Sequence, residues 1–171
     1  MDEQLRTAAE NGDIHALYRK LADDPYILDR IDHIPIVDTP LHVASVAGKP
    51  HFAMKVANLK PSLAWKLNHM GLSPIHLALQ HKCIKMIEDP DLLAEFLSAC
   101  PSSVEDTTVH CETAVHVAIR NGSIRCFKVL LGWLGRVDKE DVLNWKDEDG
   151  NTALHIAVSS GQTEASFDCF L

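Results

Sequence analysis

A chain of 171 residues with 46% hydrophobic and 23% charged side chains can bury a sizeable core within one domain, which excludes intrinsic disorder. Its formal charge of −8 and its 6% aromatic content argue against nucleic-acid binding, which takes a basic footprint and stacking rings. Ten histidines and five cysteines (Cys83, Cys100, Cys111, Cys126 and Cys169) invite a metal or redox reading, to be weighed against the pattern they fall in.

The chain starts Met1-Asp2-Glu3-Gln4-Leu5-Arg6, acidic where a signal peptide needs basic residues, so a cytoplasmic location with reduced thiols is expected. A first helix is expected in Leu5-Arg6-Thr7-Ala8-Ala9-Glu10, closed by Gly12. Its partner follows, where Ile14, Leu17, Tyr18 and Leu21 keep helical spacing up to a stop at Pro25. Thr39-Pro40-Leu41-His42-Val43-Ala44 opens the next pair, which ends at Pro61. Ser73-Pro74-Ile75-His76-Leu77-Ala78 opens a third, with Leu92, Leu93, Phe96 and Leu97 on its second helix and Pro101 beyond it. Thr113-Ala114-Val115-His116-Val117-Ala118 leads to Phe127, Leu130, Leu131 and Leu134. The stretch from Cys126 to Leu134 is interrupted by Lys128 and is far too short to cross a bilayer. A turn at Asp147-Glu148-Asp149-Gly150-Asn151 then precedes Thr152-Ala153-Leu154-His155-Ile156-Ala157.

Four of these openings share one pattern, with histidines 34, 40 and 39 residues apart, and glycine recurs four positions after the alanine at Gly12, Gly48, Gly122 and Gly161. Each residue has a local reason. The Thr or Ser hydroxyl serves the free amides of a first helical turn. Proline at the first helical position has no amide to leave unpaired. Small alanines let helices approach closely, and glycine allows the left-handed turn into a second helix.

The pattern resembles the ankyrin repeat over nearly the whole chain. The resemblance implies an all-α ankyrin-repeat solenoid of helix-turn-helix units with short β-hairpin or loop fingers, in which each unit buries its apolar face only by stacking on its neighbours. One array over 1–171 is expected, with repeats at about 1–35, 36–69, 70–109, 110–147 and 148–171. The first repeat reads as a polar cap, with Arg6 in place of the signature histidine. The last reads as truncated and frayed over 163–171.

Leu59-Lys60-Pro61-Ser62-Leu63-Ala64, Lys66-Leu67-Asn68 before Gly71-Leu72, and Phe96-Leu97-Ser98-Ala99-Cys100-Pro101 narrow the resemblance to plant membrane-anchored ankyrin proteins of immunity. That resemblance implies a cytosolic array followed by membrane helices, with a role in defence and cell-death signalling. The ten residues from Gln162 to Leu171 contain no such helix, so membrane insertion by this chain is not expected. The expected function is then a monomeric, non-catalytic protein-interaction module without cofactors. The alternatives are the ankyrin part of a membrane-anchored signalling protein, at the cytosolic face of a membrane, and a soluble truncated competitor of one.

A metalloenzyme is the least favoured reading. His42, His76, His116 and His155 hold one position in successive repeats, about 10 Å apart when helices stack, whereas zinc draws its ligands to about 2 Å. In ankyrin proteins this histidine bonds backbone groups near the fingers. Thr39, Ser73, Thr113 and Thr152 complete the structural signature. Cys111 with His110 and His116, and Cys83 with His81, lack zinc-site spacing. Cys83, Cys100 and Cys126 read as seam residues. Residues 36–70 hold one acidic side chain against Lys49, Lys55, Lys60 and Lys66, a basic island that reads as a solvated face before an acidic-partner or lipid site.

The resemblance places partner binding on the finger tips and the exposed side of each first helix. Counting from each Thr or Ser, those positions are Ile36, Asp38 and Val46; then His69, Met70, Leu72, Gln80 and His81. In the fourth repeat they are Val109, His110, Glu112, Arg120 and Asn121, and in the fifth Glu148, Asp149, Asn151 and Ser159. The row runs from apolar and histidine-rich to acidic, with Met70 and Leu72 as the expected hot spot. The bland alternative is a set of hydrophilic turn residues with no dedicated partner.

Overall fold

The computed structural model describes residues 1–80 and 90–162. The described residues form ten α-helices: α1 (Glu3–Asn11) and α2 (Ile14–Asp23), then a short α3 (Ile27–Asp32), α4 (Pro40–Val46) and α5 (Pro50–Leu59). After these come α6 (Pro74–Gln80), α7 (Pro90–Ala99), α8 (Ala114–Arg120), α9 (Ile124–Val137) and α10 (Ala153–Ser159). The helices α1, α4, α6, α8 and α10 stack side by side as an inner row, while α5, α7 and α9 stack as an outer row.

Local chemistry starts each helix. Asp2 accepts from the amides of Gln4 and Leu5, and Asp13 accepts from Ala16, so the acidic start of the chain is a helix cap. Pro40, Pro50, Pro74 and Pro90 open their helices. Pro61 and Pro101 do more than stop the helix before them: each begins a 3-10 turn, Pro61–Trp65 and Pro101–Glu105, repeated at Glu140–Asn144. The inner seam is lined by Leu5, Leu41, Ile75 and Val115, with Ala8, Ala44, Ala78, Ala118 and Ala157 where the helices meet. Phe52, Phe96 and Phe127 fill the outer seam beside Leu97, Leu130 and Leu134. Cys100 and Cys126 are buried in it, and burial pushes both thiols up to about 11. Tyr18, which keeps helical spacing with Ile14, Leu17 and Leu21, is 47% exposed. Cys83, Leu92 and the fraying expected over 163–171 lie outside the described residues and side chains.

Among the described residues the fingers contain no strand, only the isolated bridges Ile36–Leu67 and Thr107–Thr113. They are tight turns of one design at 68–72, 108–112 and 147–151. The first amide bonds the fifth carbonyl in each, at 3.0, 2.9 and 2.9 Å. The first side chain then accepts from the third and fifth amides, as Asn68, Thr108 and Asp147 all do. The fourth residue is left-handed: Gly71, Cys111 and Gly150. Single backbone bonds link each finger to its neighbour, Val37 to Leu67, Val109 to Gly71, and Glu148 to His110.

Candidate protein-binding groove

The groove is held by the histidine position. Thr39 donates its amide to His42 Nδ1 at 3.1 Å and its hydroxyl lies 2.8 Å from the same nitrogen, so Nδ1 is unprotonated. The proton therefore sits on Nε2, which donates to the Leu72 carbonyl at 3.1 Å, at the end of the next finger. His116 repeats this geometry with Thr113 and the Asn151 carbonyl. Ser73 and Thr152 make the same bonds to His76 and His155. Burial lowers the pKa of His42 and His116 and brings His76 down to about 4, so these rings stay neutral. His155 is exposed. The first helix of one repeat thus fixes the finger of the next.

Two clefts open between fingers, beside the first helices of the repeats. The first, about 270 Å³, lies between the residues around Asp38 and the finger at 68–72. Val43, Val46, Met70 and Leu77 give it an apolar lining, and Arg6, Glu10 and Asp38 rim it. The second, about 230 Å³, lies between the fingers at 108–112 and 147–151 and is lined by His110, Glu112, Arg120, Asp147, Glu148 and Asp149. Arg120 bridges Glu112 at 2.9 Å and Asp147 at 3.2 Å. Burial works against the Asp147 charge, but the amides of Asn151 and Asp149 outweigh it and hold its pKa low. Glu148 sits 2.8 Å from His110 Nδ1 and raises the pKa of that ring.

The structure therefore gathers Asp38, Val46 and Met70 in one cleft and His110, Glu112, Arg120, Glu148 and Asp149 in the other. Ile36, His69, Gln80, Val109 and Ser159 are exposed without lining either cleft. Leu72 does not belong to the surface: its side chain is only 8% exposed, because the turn that presents Met70 directs Leu72 back into the stack. Two half-buried positions make structural bonds, Asn121 donating to the Leu79 carbonyl and Asn151 accepting from His116. His81 lies outside the described residues. Arg6 and Glu10 were missed, although they stand in register with His42 and Val46; the first repeat lacks the Thr-Pro-Leu-His phrase from which positions were counted.

Two of the four lysines of the basic island are committed internally. Lys60 pairs with Asp29 at 2.7 Å and Asp32 at 3.3 Å, and Lys66 reaches Asp32 and the Ile34 carbonyl. Among the described residues no three His, Cys, Asp or Glu side chains converge as a metal-ligand set, and no helix is long and apolar enough to cross a membrane.

Residues 86–166 match the family model for ankyrin repeats in three copies. The chain is 47% identical to the Arabidopsis thaliana ankyrin repeat-containing protein BDA1 over 73 residues, which are 43% of this chain and 17% of that protein. It is 32% identical to the mouse (Mus musculus) B-cell lymphoma 3 protein homolog over 133 residues, 75% of this chain and 27% of that one. It is 25% identical to the probable 26S proteasome regulatory subunit p28 of Saccharomyces cerevisiae over 150 residues, 82% and 60% of the two chains. The chain thus spans less than two thirds of the length of these relatives.

Proposed function

From the premise that this chain is an ankyrin-repeat array, a protein-interaction module, we propose that it docks a protein partner along its concave face and does so in plant defence or stress signalling. The observation that carries the docking surface is a row of exposed apolar tips, Ile36, Met70 and Val109 at 54, 62 and 58% exposure, beside the apolar cleft under Val46. Large apolar side chains held out on rigid turns are costly to leave in water and suit a buried hot spot with a polar rim. The module is non-catalytic in this reading: its four signature histidines are committed to capping their own helices, and His42 and His116 to the next finger as well. The plant setting is supported by the Arabidopsis relative and by the resemblance to membrane-anchored ankyrin proteins of immunity. A cytoplasmic place goes with that reading.

The test replaces Met70 and Val109 with Glu and Arg120 with Ala, leaving buried Leu72 intact. Proteins that co-purify with the unmodified chain from plant tissue should be lost with the variant while its helical signal is kept. An unchanged set of partners would refute the concave face as the docking surface.

A further inference from the structure

The two clefts differ in chemistry, and together they describe a ligand. The first, about 270 Å³, has an apolar lining of Val43, Val46, Met70 and Leu77 that suits an aliphatic side chain. Its rim carries Arg6, paired with Glu10 at 3.1 Å and also within electrostatic reach of Asp38, whose carboxylate accepts from the neutral Asn68 amide, so two carboxylates face one cation. The second cleft sets four carboxylates, Glu112, Asp147, Glu148 and Asp149, against one permanent cation, Arg120. Both clefts therefore carry surplus negative charge.

We propose that the groove takes an extended segment of a partner protein whose aliphatic anchor fills the apolar cleft and whose arginine or lysine, about six residues away, enters the acidic one. This deepens the concave-face reading and rests on it. The spacing follows from the stack. The clefts lie two repeats apart, roughly 20 Å at about 10 Å between packed helices, and an extended chain advances about 3.3–3.6 Å per residue. Exposed Val109 and Gln80 lie between them. The sign follows from complementarity: an acidic segment would bring its charge against Asp38 at one end and Glu148 and Asp149 at the other, which costs affinity and slows encounter. A guanidinium entering here meets the exposed Asp149 carboxylate, on a turn held by its amide bond to Asp147, and the Glu148 carboxylate, which already lies 2.8 Å from His110 Nδ1.

Random 12-residue peptides displayed on phage are selected against the full chain, and the best are labelled and titrated by fluorescence anisotropy. Selected peptides should pair a Leu, Ile, Val or Met with an Arg or Lys five to seven positions away. Binding should fall about tenfold or more with Met70→Glu and with Glu148→Lys, and fall again as salt is raised. Both side chains are exposed, and circular dichroism confirms that each variant folds; Met70→Ser and Glu148→Gln replace any that does not. Peptides that depend on Met70 but lack a basic residue, or ignore Glu148→Lys, overturn this inference and leave the groove standing. Failure to select peptides sensitive to either substitution overturns both.

Discussion

Asp106 carries a buried Oδ2 with no hydrogen-bond partner among the described residues, two residues before a finger, where other repeats place Lys66 and Trp145. Burial, helped by neighbouring Glu105, raises its pKa to about 7. A carboxyl raised from its ordinary 3.8 costs nothing while protonated in both folded and unfolded chains. The cost grows as pH rises from about 4 to 7 and is complete above that. Asp106→Asn is therefore expected to stabilise the array by roughly 2–4 kcal/mol at pH 8 and by little at pH 4, read from urea unfolding at the two pH values. Cys111 is the second residue at odds with its setting. It holds φ 59° at the turn position where its two counterparts are Gly71 and Gly150. Cys111→Gly should gain about 1 kcal/mol by relieving that strain, measured as a higher urea midpoint. Neither position is legible in the sequence: Cys111 reads there only as a rejected zinc ligand, and nothing local distinguishes a buried carboxylate from a solvated one.

At the scale of the element, the finger is the unit that joins neighbours. Gly71 is left-handed at φ 71°, and an added Cβ would lie 2.8 Å from the Cβ of Val109 and closer still to its methyls. Gly150 has the same backbone with open space around it. Gly71→Ala is expected to cost at least 2 kcal/mol, from left-handed strain plus a clash that pushes the next finger away, and Gly150→Ala only about 1. Comparing the two midpoints isolates the inter-finger contact. His116→Ala should cost roughly 2–4 kcal/mol, since it leaves the Thr113 amide and the Asn151 carbonyl without their partner. The histidine's structural role was readable from its period. The Asn68, Thr108 and Asp147 side chains that close each turn were not, because three different residue types do the same work.

Across the whole molecule, the signature histidines make the stack sensitive to acid. His76 titrates near 4 in the fold against an ordinary 6.5, so the unfolded chain takes up a proton first as pH falls. The histidine contribution should be full above about pH 6.5 and decline toward pH 4, by about 3 kcal/mol from His76, with further losses from His42 and His116, against the opposite gain from Asp106. Thermal melts between pH 7.5 and 4.5 of the Asp106→Asn variant, which lacks that opposing gain, check this, and a flat profile there would contradict it. Because each repeat rests on its neighbours, the loss should spread along the array.

The sequence by itself determined the repeat, the paired helices, the seam of Leu, Ile and Val with small alanines, and the commitment of the histidines. Capping and helical period act within a few residues, so they are written locally. Only the tertiary structure decided that Met70 faces the groove while Leu72, two residues on, is buried, and that Arg6 and Glu10 complete the first cleft. It also paired Lys60 and Lys66 with Asp29 and Asp32, turning half of a basic island into a joint between repeats. Those outcomes depend on partners some 30 residues away, where the direction of a finger side chain is set by the backbone of the next repeat and no local pattern records it.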